Sequence, residues 1–455
     1  MLTPANICQV AIVSKHAKLL RNWYCEHFGF LPASQTIFGG PLATRVQGVP
    51  NDLNICYWAV DGKRQFQLEF FNFIRPGVTP KRNNWQPYDH GYNVVGIYTW
   101  NFDEILNKLK RSSASFLSDV KIDNGHRWLM IKDPDGNHIE LTEHDPLAEQ
   151  TKQYEEISAT VRYVRISVPD LEKTKKIWKN SFYLLEKDTY TLPTYHDELL
   201  FSEQVTEYQQ CVLQGQGILL ELRQYSKPVP TPRLNTHDVT DQGIMNIAIG
   251  ADSVALWDEY FNNAIERQCI PNGKPLDAAV FKVMYLNQPN LENIELLYPR
   301  QWAYSLTGFK PSGVFARGEI IINTCEETLW AILIDHDNAG QWAFFSSKLI
   351  QKGETEIDGL KAVRKIGLFG LTFEEKITNW LPNKSYSYQL RSKILFRNHQ
   401  GIIYLSPRNG RIKLSWQIHF DTPILGLGAI NRIILTLLIN RSLKKLKKRA
   451  ESPTN

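Results

Sequence analysis

The chain has 455 residues, more than one hydrophobic core usually serves, and with 43% hydrophobic and 22% charged residues it has the composition of a folded protein of several domains. The formal net charge of +5 sits in one place: seven basic residues and no acid lie between Arg432 and Arg449, so the remainder carries −2, which argues against nucleic-acid binding by the body of the chain. Six scattered cysteines without a CxxC pair read as reduced core thiols rather than a disulfide framework or zinc knuckle, and MLTPANICQVAIV has no basic leader followed by an apolar stretch, so a cytoplasmic location is expected.

The first segment, ICQVAIVS, reads as a strand. KHAKLLRNWYCEHFGF after it reads as an amphipathic helix with Leu19, Leu20, Trp23, Tyr24 and Phe28 on one face. Phe38-Gly39-Gly40-Pro41 and Arg45 to Pro50 form a Gly/Pro-rich loop, read either as a lid over a pocket or as a surface turn. The strand QFQLEFFNF carries Glu69; after a Pro-rich loop and Asp89-His90-Gly91, the segments YNVVGIYT and WNFDEILNKLKRSS repeat the order of strand and helix. DPDGNHIEL at 133–141 is a tight turn entering a strand: Pro134 presets φ, and Gly136 or Asn137 takes positive φ. Alternation then puts Ile139 and Leu141 on one face, His138 and Glu140 on the other. On a solvent face Glu140 is an ordinary charge; facing a cavity it is a candidate metal ligand or base, because a carboxylate is rarely buried without a partner.

The series then returns. VRYVRISVPD and LEKTKKIWKNSFYLLE, the strand GILLELRQY with Glu221, KPVPTPR, Asp241-Gln242-Gly243, IMNIAIGA with DSVALWDEYFNNAIERQ, and Asn290 to Leu296 with Glu295 echo the first set in order. Glu69 and Glu140 are 71 residues apart, Glu221 and Glu295 74. The chain to residue 300 is therefore a duplicated unit, each copy itself double, making four βαβββ modules.

The helix end His27-Phe28-Gly29-Phe30, the Glu69 strand and above all DPDGNHIEL resemble the glyoxalase/bleomycin-resistance/extradiol-dioxygenase, or vicinal oxygen chelate (VOC), superfamily. The resemblance implies an α+β fold with two VOC barrels, at 1–150 and 156–302, each closed by two consecutive modules, and a divalent metal held from the first, fourth, fifth and eighth strands. Carried over residue by residue, these positions are Gln9, Glu69, Val94 and Glu140 in the first barrel. Val94 cannot ligate, and His90 reaches in only if its strand starts early or bends. The resemblance thus implies Gln9, Glu69 and Glu140 as metal ligands and Glu69 and Glu140 as catalytic carboxylates. Of Mg²⁺, Mn²⁺, Fe²⁺ and Zn²⁺, this oxygen-rich set suits the first three better than a structural zinc. The competing reading has the same carboxylates hydrogen-bonded to Gln9, arginines or backbone without metal. The second barrel offers Tyr163, Glu221, Asn246 and Glu295, and no metal is expected there.

After Pro299-Arg300-Gln301-Trp302 the repeat stops, and SLTGFKPSG reads as a linker. ARGEIIINT, the helix CEETLWAILIDHDNAGQW, five strands from LKAVRKIGLFG to RIKLSWQIHFDT and a long helix from 426 to 449 follow. This order, with Thr324 to Trp330 and Asp335 to Trp342, resembles START-like (SRPBCC, polyketide-cyclase) domains over 312–451, which implies a helix-grip sheet around an apolar cavity. Glu374 or Glu375, Tyr386, Arg391, His399, Trp416 and His419 are candidates to face it, although for any one of them an exposed strand residue or a satisfied core group is the favoured reading. Leu435, Ile439, Leu443 and Leu446 form a packing face on the last helix, whose apolar run is too short to span a bilayer. Lys444, Lys445, Lys447, Lys448 and Arg449 read either as a peripheral contact to anionic membrane or as a solvated helix end.

No nucleotide loop or nucleophile elbow is present, so the expected partner is a small hydrophobic molecule. The favoured expectation is a VOC-type isomerase, lyase or dioxygenase-like enzyme on a polyketide-, steroid- or aromatic-like substrate that the START-like domain binds or cyclises. The rival is a non-catalytic protein that sequesters such a molecule.

Overall fold

Four modules with the same alternation of apolar residues can pair in more than one way. The computed structural model of the chain describes residues 3–61, 67–99, 101–112, 114–147, 159–188, 207–233, 238–278, 281–288, 293–300, 316–368, 370–391, 397–408, 410–421 and 427–452. In it the first module pairs with the fourth and the second with the third. The first sheet runs Ile270–Pro271, Phe281–Asn287, Asn293–Pro299, Gly243–Gly250, Asn6–Val13, Gln67–Arg75, Leu53–Val60, Leu31–Gly39. The second runs Leu185–Lys187, Glu207–Gln214, Leu219–Lys227, Ala159–Ser167, Gly91–Thr99, His138–Thr142, His126–Lys132, Ser115–Phe116. Each is joined at its centre by an antiparallel pair of opening strands, Val10 opposite Ile247 in one and Val164 opposite Val95 in the other.

The expected division into barrels at 1–150 and 156–302 is corrected by this pairing, because each sheet draws on both stretches. Residues 1–30 and 35–304 form one compact unit, and 31–34 with 305–455 a second. The expected linker SLTGFKPSG lies outside the described residues.

In the first unit one face of each sheet is apolar. Val10, Ile12, Leu68, Phe70, Ile247, Ile249, Ile294 and Leu296 of one, and Val95, Ile97, Ile139, Leu141, Val164, Ile166, Leu220 and Leu222 of the other, join a single buried cluster with residues of the helices Ala17–Phe28, Phe102–Lys110, Leu171–Phe182 and Val254–Glu266. Burying each such side chain contributes about 1.5–3 kcal/mol. Leu20, Trp23, Tyr24 and Phe28 take part as expected, whereas Leu19 is 68% exposed, one step off the apolar stripe. The turn of DPDGNHIEL is held by its own first residue. Asp133 Oδ1 accepts from the backbone N–H groups of Asp135 and Asn137, Oδ2 accepts from Asn137 and from the Tyr24 hydroxyl at 3.1 Å, and Gly136 takes φ +81°. The expected loop after Gly40 is instead a helix, Pro41–Gln47, pinned to the fourth module by Arg45 Nη2 donating to the Pro275 carbonyl at 2.9 Å and Lys274 N–H donating to the Arg45 carbonyl.

The second unit has seven antiparallel strands in the order Ala316–Ile322, Arg411–Asp421, Arg397–Arg408, Ser385–Leu390, Leu371–Leu381, Val363–Leu368, Ser346–Gln351. The helix Leu427–Glu451 lies on the first of these. A Cβ at Gly318 would come within 2.5 Å of Ile439, so the missing side chain sets how closely the helix packs. The expected helix from Cys325 to Trp342 stops at Ile334 and resumes as a short 3₁₀ turn, Ala339–Gln341. Of the cysteines, Cys325 is exposed rather than a core thiol.

Candidate functional site

Register decides which side chains share a face. Gln9 stands beside Gln67 and Ala248, Ala11 beside Glu69 and Asn246, and Ala248 beside Glu295. Gln9, Glu69, Asn246 and Glu295 therefore occupy the polar face of the first sheet, opposite the apolar cluster. On a flat sheet the Glu69 and Glu295 strands, three places apart, would be about 14 Å from each other. The side chains nonetheless come close enough for the Glu69 charge to act on Glu295, and for both carboxylates to act on Cys8, Cys56 and Tyr285.

The four side chains are at most 5% exposed. Glu69 Oε1 accepts from Gln9 Nε2 at 3.1 Å and from the Trp58 indole, while Oε2 has no partner. Glu295 accepts from the Tyr285 hydroxyl and also leaves Oε2 without one; in Asn246 neither amide atom is bonded. Neither carboxylate has an ion pair among the described residues. Burial pushes Glu69 up to about 7 against the pull of the Trp58 N–H. Glu295 is raised well above the usual carboxylate range by burial and then by the charge of Glu69. Burial with these two carboxylates likewise holds the Cys8 and Cys56 thiols protonated.

Glu140 is elsewhere. It lies in the second sheet beside Gly96, which faces Tyr163, while Arg165 stands between Val94 and Glu221. Tyr163 donates to Glu140 Oε1 at 2.5 Å, Arg165 Nη2 to Glu140 Oε2 at 3.2 Å, Arg165 Nε to Glu221 Oε2 at 2.8 Å, and Arg223 Nε to Glu221 Oε1 at 2.6 Å. The Tyr163 ring crosses over Gly96 so closely that a Cβ there would lie 2.2 Å from it. Burial would raise Glu221, but Arg165 and Arg223 outweigh it and hold the carboxyl below its usual range; burial lifts Glu140 to about 7 despite Arg165.

The expected trio is thus divided. Gln9 and Glu69 meet, Glu140 belongs to a different face, and Val94 packs beside Trp128 and Met130. The ligand-like positions Asn246 and Glu295, assigned by sequence to a metal-free barrel, join Gln9 and Glu69 instead. His90 sits before the strand that starts at Gly91 and donates its backbone N–H to Thr231. His138 shares the face of Glu140, its ring tilted against that of Trp85, with its Nδ1 unpartnered. Sequence reasoning passed over Arg165 and Arg223, although Arg223 stands two residues after Glu221 and Arg165 two residues after the ligand-like position Tyr163; this alternation was the available signal.

The superfamily resemblance implies a divalent ion. No group of three or more His, Cys, Asp or Glu able to hold a metal occurs among the described residues. The first-sheet set has two carboxylates, so its remaining donors are amides. Unpartnered oxygens on Glu69, Glu295 and Asn246, buried with two acidic groups and no basic one paired to them, fit a hard cation. The second-sheet set does not fit: two arginines already neutralise its carboxylates.

In the second unit Glu375 and Arg364 form a buried ion pair at 2.8 Å, and Arg364 Nη1 meets His336 Nδ1 at 3.1 Å. Tyr386, Tyr388 and Trp416 are on the same side, with Trp416 Nε1 donating to the Tyr388 hydroxyl at 2.8 Å. Arg391 and Glu374 pair with one another at the half-exposed margin, and His399 and His419 are buried and pushed down to about 3. Of the candidates for an interior face, Glu375, Tyr386, His399 and Trp416 are inward, and Glu374 and Arg391 are not. His419 alternates with Trp416 to the other side of the sheet.

A family model described as the Glyoxalase/Bleomycin resistance protein/Dioxygenase superfamily matches residues 6–141. This stretch is similar to that superfamily and makes up under a third of the chain. Among solved structures the chain is similar to glyoxalase I from Zea mays (13% identity, 64% of this chain and 92% of that chain covered, TM-score 0.43) and to a putative dioxygenase from Bacillus subtilis (13% identity, 69% and 91% covered, TM-score 0.47). No curated protein matches.

Proposed function

We propose that the protein is a divalent-cation-dependent enzyme of the glyoxalase and dioxygenase kind, with Gln9, Glu69, Asn246 and Glu295 holding the cation on the polar face of the first sheet. The observation that carries this reading is the pair of buried carboxylates, each with one unpartnered oxygen and no guanidinium or ammonium paired to it. Uncompensated, two such charges cost several kcal/mol. When bound, a cation supplies Lewis acidity, polarising oxygens of the substrate.

This chain's own residues account for the rest. Trp58 and Gln9 fix Glu69 through one oxygen and leave the other, buried and without a partner, free to take a ligand. Tyr285 does the same for Glu295. Without a cation, burial puts Glu69 near 7, so cation binding releases a proton from it at neutral pH and is favoured as pH rises. Phe71 and Phe73, stacked at 6.0 Å on the same face as Glu69, supply an apolar wall for a hydrophobic substrate. The second unit, a helix-grip arrangement of START-like type in this reading, binds a hydrophobic molecule of the same class.

Metal analysis of the purified full-length chain tests the assignment. One divalent ion per chain is expected in the wild type and in Glu140→Gln, and none in Glu69→Gln or Glu295→Gln. Loss of the ion in Glu140→Gln, or its retention in both of the other variants, would sink the reading.

A further inference from the structure

The helix Leu427–Glu451 has a second ordered face. Leu435, Ile439, Ser442, Leu443, Leu446 and Ala450 are buried in the second unit. On the opposite side, at spacings of three, four and seven residues, Ile430, Ile433, Ile434 and Leu437 are 56%, 57%, 45% and 61% exposed. The same stripe continues, at helical spacing, through Arg441, Lys444, Lys445 and Lys448, all exposed and without an ion pair among the described residues. Lys447 and Arg449 lie off the stripe and are tied down: Lys447 donates to the Ile321 carbonyl at 2.7 Å, and Arg449 to Gln341. From Ile430 to Lys448 the stripe is about 27 Å long.

We propose that this stripe docks the protein on an anionic lipid surface, with the four apolar side chains entering the interfacial zone and the four basic ones meeting lipid phosphates. Single exposed aliphatic residues are ordinary; four aligned on one helix face and followed in line by four unpaired cations are not. The order of the stripe selects the occupant. In an antiparallel pair of identical helices the apolar half of one would lie on the basic half of the other, and in a parallel pair lysines would face lysines, so a second copy fits badly. A bilayer surface offers an apolar layer beside a sheet of negative charge, which matches both halves. No helix among the described residues is long and apolar enough to cross a membrane, so the contact is peripheral.

Flotation of the full chain tests this. The vesicles are phosphatidylcholine alone or phosphatidylcholine with roughly one-third phosphatidylserine, at low and high salt. The wild type is expected to float with the anionic vesicles at low salt, and about tenfold less with neutral vesicles or at high salt. Ile433→Ser/Leu437→Ser and Lys444→Gln/Lys445→Gln/Lys448→Gln should each lose about tenfold with unchanged thermal stability, since every altered side chain is exposed. A wild type that does not float with anionic vesicles, one that floats equally with neutral ones, or variants that float like the wild type would overturn the proposal. Self-association abolished by Ile433→Ser/Leu437→Ser without any flotation would assign the stripe to a second copy and overturn it equally.

Discussion

The two polar faces of the first unit are one design with different occupants. Position for position in the strand register, Gln9, Ala11, Glu69, Phe71, Asn246, Ala248 and Glu295 of the first sheet correspond to Tyr163, Arg165, Glu221, Arg223, Val94, Gly96 and Glu140 of the second. Both faces keep two buried carboxylates at matching places. In the second, Arg165 and Arg223 stand where the first has Ala11 and Phe71, and the charge is neutralised by the chain itself. The first has amides and a wall of aromatic rings instead, so neutralisation has to come from a proton or an ion in solution. A carboxylate pair in this fold is therefore not by itself a metal signature; what stands two residues away decides.

The most damaging way to probe the contrast is Arg165→Met. It strands Glu140 and Glu221 without their shared guanidinium, and a loss of about 3–5 kcal/mol is expected in urea unfolding. Added Mn²⁺ should restore part of that loss in Arg165→Met but not in Arg165→Met/Glu140→Gln. Recovery in neither would mean that the two faces are not equivalent.

Cation-dependent stabilisation should separate the faces next. At a free ion concentration one hundred times its Kd, the wild type and Glu140→Gln gain about 2.7 kcal/mol, and Glu295→Gln gains nothing, as read from thermal unfolding. An equal gain in all three would place the ion elsewhere.

A pH series on the metal-stripped protein sharpens the sign. Glu69, lifted to about 7, and Glu295, also raised, bind protons more tightly when folded than when unfolded. Below the ordinary carboxylate range both states are protonated and these groups cost nothing; as pH rises through the folded pKa the cost of ionising them in place grows. Glu69→Gln should therefore gain on the wild type between pH 5 and 8, by on the order of 2 kcal/mol, and saturating divalent ion should cancel the difference. A flat difference would show that Glu69 titrates normally.

Smallest in effect is Gly96→Ala. A methyl there meets the Tyr163 ring and should cost about 1–3 kcal/mol, although the corresponding position in the first sheet carries Ala248. Unchanged stability would mean that the ring moves freely, and with it the Tyr163 to Glu140 hydrogen bond.

Local order was written in the chain. The period-two runs placed Glu69, Glu140, Glu221 and Glu295 on faces opposite Phe70, Ile139, Leu220 and Leu296, and all four carboxylates are buried on those faces. The turn at Asp133 to Asn137 and the spacing of Leu435, Ile439, Leu443 and Leu446 were equally legible, because each depends on backbone geometry within a few residues. Which strands pair was not. Every module presents the same apolar alternation, so Asn6–Val13 could be joined to Gly91–Thr99 or to Gly243–Gly250 with equal hydrophobic gain, and the family match over 6–141 spans strands of both sheets without distinguishing the two. Contacts between residues 60 to more than 200 apart made the choice: Tyr92 donating to the Asn293 carbonyl, Thr160 to Asp61, and the Tyr163 ring filling the space that Gly96 leaves. The carboxylates follow from sequence alone, and what surrounds them, Gln9 and Asn246 on the face of Glu69 and Arg165 against Glu140, follows only from the fold.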